Sequence, residues 1–136
     1  MEHVTLTYKK LNSRAFDPIV PKDGIGNIQV IGYIKDIITS GTTKKVHTGI
    51  SLHIPEGYRG NVSLDPDMAR HPWSLVIKSS FLPSENSDEL IFEIVNVGPY
   101  PQKIVPGQAI ARISVLPMLK TELMQLKKEK KTRGTD

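Results

Sequence analysis

Two carboxylates separated by one proline, Asp65-Pro66-Asp67, and a single Glu85 two residues after Pro83 are the acids whose setting suggests chemistry. A carboxylate pair can hold a divalent cation, and one carboxylate can orient or deprotonate water. Proline between two aspartates is also a turn signal, and the segment is read as a turn. Four histidines, His3, His47, His53 and His71, show no metal-ligand spacing. His47 and His53 fall on one face of a strand but too far apart to share a metal. With no cysteine, thiolate chemistry is excluded, as is a disulfide framework. No Gly-x-Ser-x-Gly elbow, P-loop or dinucleotide fingerprint is present. The only Trp lies in Met68-Ala69-Arg70-His71-Pro72-Trp73. Arg70, His71 and Trp73 are partner-binding candidates, because Trp and Arg are favoured at protein interfaces; packing of Trp73 on the body or at a subunit seam is the other reading.

The elements that must position these residues are strands. Val4 to Tyr8 alternates with period two, as does His47 to Ile54, with Ile50, Leu52 and Ile54 on one face. Asn27–Ile34, Lys35–Thr39, Asn61–Leu64, Leu75–Lys78, Leu90–Val97 and Ile110–Leu116 complete the set. Turn signals every eight to twelve residues predict an all-β sandwich or barrel. Met118, Leu119, Leu123, Met124 and Leu126 form a roughly helical stripe, so a short helix or turn is expected over residues 117–128.

At 136 residues the chain fits one domain, assigned to residues 1–126. Residues 127–136 form a basic, flexible tail of net charge +3, leaving +1 of the total +4 for the rest. That balance argues against a specific nucleic-acid interface. No apolar run is long enough to span a membrane, and no secretory leader is visible, so an intracellular site, cytoplasm or nucleus, is expected.

Three stretches carry a family resemblance. Thr48 to Gly60 reads Thr-Gly-Ile-Ser-Leu-His-Ile-Pro-Glu-Gly-Tyr-Arg-Gly, Val95-Asn96-Val97-Gly98 follows, and Pro106 to Arg112 reads Pro-Gly-Gln-Ala-Ile-Ala-Arg. In order and spacing they resemble the trimeric dUTPases over about residues 5–126. The resemblance implies a distorted jelly-roll β-barrel, assembled as a homotrimer with active sites between subunits. It further implies hydrolysis of dUTP to dUMP and pyrophosphate with Mg²⁺ on the phosphates.

Laid on the family's motifs, the chain keeps glycines and apolar positions and loses polar ones. The first-motif Asp falls on Ile28, with Asp23 nearby in a turn. The second motif, Pro-Arg-Ser-Gly in the family, becomes Asp65-Pro66-Asp67-Met68 nearby in register, placing anions where a triphosphate would sit. In the third motif the water-activating Asp becomes Pro83 and the sugar-stacking Tyr becomes Asn86, within Ser80-Phe81-Leu82-Pro83-Ser84-Glu85-Asn86. Pro83 removes a backbone N–H from the hairpin that reads uracil. In the fourth motif Arg becomes Ala109 and Gln becomes Arg112, while Gln108 holds the Asp/Gln position. The Gly-rich fifth motif is matched at most by Arg133-Gly134.

The nucleotide-pocket equivalents are therefore Asp67, Ser80, Phe81, Pro83, Asn86, Gln108 and Arg112, and no catalytic residue is assigned. Met68-Ala69-Arg70-His71-Pro72-Trp73 also resembles a segment of the dUTPase-derived product of the first reading frame of adenovirus early region 4, which kept the fold, lost catalysis and binds host proteins. Its hydrophobic PDZ-binding end is not matched by Thr135-Asp136. The expectation is a non-catalytic binding or adaptor module, viral in type, homotrimeric, acting on host or viral proteins and needing no cofactor. The alternatives are a divergent dUTPase with Mg²⁺, using Asp67 or Glu85, and a structural assembly protein.

Overall fold

The computed structural model describes residues 3–20, 22, 26–68, 74–78, 81–85 and 87–127. Among the described residues ten strands account for the regular structure: β1 (Thr7–Lys10), β2 (Ile28–Ile31), β3 (Asp36–Ile38), β4 (Thr43–His53), β5 (Tyr58–Leu64), β6 (Leu75–Ile77), β7 (Phe81–Leu82), β8 (Glu89–Asn96), β9 (Gln102–Ile104) and β10 (Ala109–Pro117). They form two four-stranded sheets, β1-β4-β8-β6 and β2-β10-β5-β7, with a β3-β9 ribbon beside them. All pairings are antiparallel. Among the described residues, hydrogen bonding does not close the sheets into one barrel.

Period-two alternation places the core. On β8, Leu90, Phe92, Ile94 and Asn96 are buried, and on β4, Val46, Thr48, Ile50 and Leu52. The opposite sheet contributes Val30, Val62, Ala111 and Ile113, with Ile110 beside them. Burying each large aliphatic or aromatic side chain is worth about 1.5–3 kcal/mol. The polar residues of this interior are satisfied. Thr48 Oγ1 donates to Leu90 O at 2.7 Å, and Asn96 Nδ2 donates to Ile38 O at 2.9 Å and Tyr100 O at 2.7 Å.

The β4–β8 register breaks between His47 and Ser51. Gly49 sits there at φ +71°, and a Cβ on it would lie 2.8 Å from both Ala15 Cβ and Tyr33 Cε1. Only glycine combines that backbone with that proximity. Its N–H donates to Glu89 Oε2 at 2.9 Å.

No helix occurs among the described residues. Residues 118–127, where the apolar stripe suggests one, have no regular structure and are exposed. A helix of about ten residues with no packing partner is not stable in water. Residues 128–136, most of the expected tail, lie outside the described residues, and no described helix is long and apolar enough to cross a membrane.

Candidate functional site

β5 delivers Asp65 to the junction of β2 and β10. In this register Arg112 lies opposite Gln29 on one side and Ser63 on the other. The Asp65 side chain is 1% exposed. Its Oδ1 accepts the Asp67 N–H at 2.9 Å, which closes the turn at residues 66–68. Its Oδ2 accepts Arg112 Nε at 3.1 Å and Gln29 Nε2 at 3.2 Å. The backbone is tied as well, Asp65 N–H donating to Ile110 O and Met68 N–H to Asp65 O. A buried carboxylate is tolerated when so partnered. Asp65 therefore faces inward as a structural anion, so it does not add to a negative charge on the pocket wall.

Ile28 packs against the hydrophobic core, and its neighbour Gln29 is the β2 side chain that meets Asp65 and Arg112. The motif-one carboxylate is thus missing at both positions. Asn27 accepts from Ser114 Oγ beside them.

Two cavities flank the cluster. The larger, about 610 Å³, is lined by Asp67, Met68, Leu75, Gln102, Lys103, Val105, Pro106, Gly107 and Gln108. Gly107 turns the chain into β10 at φ +92°, and Gln108 Oε1 accepts the Val105 N–H at 3.2 Å. The smaller, about 320 Å³, is lined by Ile19, Gly26, Asn27, Gln29 and Arg112. Of the expected pocket residues, Asp67 and Gln108 thus share one cavity and Arg112 faces the other. Phe81 lies on β7, paired with β5, and Pro83 follows it, exposed. Pro83 does not line either cavity among the described residues. Ser80, Asn86, Asp23, Arg70, His71 and Trp73 lie outside the described residues.

Glu85 stands at φ +63°, a left-handed conformation uncommon for a residue with a side chain. Its N–H donates to Ile54 O at 2.9 Å, and its carboxylate lies 3.0 Å from His53 Nε2. The turn after β7 is thereby pinned to the β4–β5 connection. His47 Nδ1 likewise meets Glu89 at 3.3 Å. Among the described residues no three His, Cys, Asp or Glu gather as a metal site. Asp67 is the only described carboxylate lining either of the two larger cavities. One exposed carboxylate among amides and a lysine does not hold Mg²⁺ by itself, since such sites rely on substrate phosphates for further ligands.

The Gln29–Asp65–Arg112 cluster escaped sequence reasoning. Its signal was faint: Gln29 is the one polar residue among Ile28–Ile31, and Arg112 is the one charged residue of β10, between Ala111 and Ile113.

No protein-family model matches the chain. Over 130 residues it is 27% identical to the deoxyuridine 5'-triphosphate nucleotidohydrolase of Alcanivorax borkumensis, covering 89% of this chain and 86% of that enzyme. Among solved structures, a mutant dUTPase from Staphylococcus aureus phage phi11, described for its coordination of a structural Mg(II) ion, superposes with a TM-score of 0.78 at 16% identity. The match covers 94% of this chain and all of that one. The dUTPase of Staphylococcus bacteriophage 80alpha gives 0.78 at 18% identity, over 92% and 97%. The fold of this chain is that of the dUTPases.

Proposed function

We propose that this chain is a dUTPase-type protein that has kept the scaffold, no longer hydrolyses dUTP, and acts as a binding module for other proteins. One observation carries this. The polar groups at the motif positions are spent on each other: Asp65 is buried and held by Arg112 and Gln29, while half-buried Ile28 packs against the core. Hydrolysis between phosphates needs a carboxylate aimed at water and donors aimed at developing charge. Pro83 supplies neither at the position of the family's water-activating Asp. The phage 80alpha protein lends support of another kind. It is described as controlling transfer of virulence genes by a proto-oncogenic G protein-like mechanism, so a protein of this fold is described in a controlling role.

A divergent dUTPase is the second reading. The comparisons taken alone favour it, because the curated relatives bear the hydrolase name and the alignments run nearly end to end. On that reading Asp67 or Glu85 would serve as the carboxylate, and Mg²⁺ would arrive with the triphosphate. A homotrimer in an intracellular setting is proposed on either reading, by resemblance to the family.

Calorimetric titration with dUTP and dUDP in Mg²⁺ separates the two. The binding-module reading expects no saturable heat from either nucleotide. Saturable, uracil-selective binding would move the assignment to the hydrolase.

A further inference from the structure

The smaller cavity offers hydrogen-bond donors but no net charge. Its lining among the described residues is Ile19, Gly26, Asn27, Gln29 and Arg112, and Arg112 is the one ionisable group of the five. The guanidinium is bonded through Nε, to Asp65 Oδ2 at 3.1 Å, and its two outer NH2 groups have no partner among the described residues. Asn27 accepts from Ser114 Oγ through Oδ1, and its NH2 group likewise has no partner among the described residues. A planar fork of N–H groups beside an amide NH2 suits a phosphate oxyanion.

We propose, resting on the reading above that the chain no longer takes dUTP, that Asp65 closes this cavity to phosphate: it is a built-in counter-anion that neutralises Arg112 from the buried side. Asp65 is 1% exposed, so solvent does little to screen its charge. An oxyanion arriving at the outer edge of Arg112 meets the guanidinium first and a carboxylate just beyond it. Attraction and repulsion largely offset each other, because the pair is neutral as a whole.

Asp65 is also held in place. Its Oδ1 accepts the Asp67 N–H at 2.9 Å, its Oδ2 accepts Gln29 Nε2 at 3.2 Å as well as Arg112, and its own N–H donates to Ile110 O at 2.8 Å. An incoming phosphate would have to displace a carboxylate tied at both oxygens and through the backbone. Asp67 stands two residues away but lines the larger cavity instead. The exclusion is therefore assigned to one carboxylate and not to the acidity of the whole turn.

The test is titration of the full chain with inorganic pyrophosphate, without Mg²⁺, followed by calorimetry and by melting temperature, against KCl of equal ionic strength. The parent should show no saturable binding. Asp65→Asn removes the charge at constant size, and should bind pyrophosphate about tenfold or more tighter than the parent, with a melting temperature that rises as pyrophosphate is added. Asp65→Ser, whose hydroxyl can still accept the Asp67 N–H, is a second variant with the same expected gain. Asp65→Asn/Arg112→Gln should lose the gain. Asp67→Asn makes the same change in net charge without freeing Arg112, and should behave as the parent. If neither Asp65 variant binds better than the parent, or if Asp67→Asn gains as much as they do, the proposal is overturned while the reading beneath it stands. Retention of the gain in the double variant also overturns it. Saturable binding of pyrophosphate by the parent overturns the reading itself.

Discussion

Replacing Arg112 with Gln removes the cation from beside a carboxylate that is 1% exposed. Asp65 then keeps only the Gln29 amide and the Asp67 N–H as partners. Breaking a fully buried pair by deleting one member costs about 3–5 kcal/mol. Arg112 is 37% exposed, so water screens part of the attraction and the lower end applies, about 3 kcal/mol. For a domain of this size that is a fall in melting temperature on the order of 10 °C. Asp65→Asn removes the charge at constant size but turns an amide donor toward two other donors, costing about 2 kcal/mol. In the double variant no charge is left stranded, so the effects should fall short of additivity by about 1.5 kcal/mol. Urea denaturation at constant m-value measures all three. Additive losses, or an Arg112→Gln loss under about 0.5 kcal/mol, would refute the view that Asp65 is a structural anion rather than a free group at the pocket.

Gly49→Ala should cost at least about 3 kcal/mol, from positive φ plus collision with Ala15 and Tyr33, and thermal melting will show it. Restoring the aligned family carboxylate by Ile28→Asp should destabilise by about 3 kcal/mol without creating dUTP hydrolysis, since that side chain packs on the core; a stable, active variant in a coupled pyrophosphate assay would show that the position faces the pocket.

Strands with a buried face were legible because alternation is local. Leu90, Phe92, Ile94 and Asn96 announce their face without knowledge of any partner. β7 was not, since two residues carry no period. The stripe from Leu119 to Leu126 is helical in spacing, but periodicity says nothing about whether a surface exists to receive it. At the site, Asp65-Pro66-Asp67 is readable as a turn because proline sets φ locally. The inward aim of Asp65 depends on Arg112, 47 residues away, and so on sheet register. Register also explains Gln29: laying Ile28 on the family Asp is a comparison of letters, whereas the strand's pleat decides which of two neighbours faces the cluster.

The most direct measurement is release of pyrophosphate from dUTP by the purified protein with Mg²⁺. The account predicts no turnover above the uncatalysed background, with Glu85→Gln and Asp67→Asn indistinguishable from the parent. Turnover that either substitution abolishes would contradict it, and would show that this scaffold has rebuilt its catalytic carboxylate at a new position.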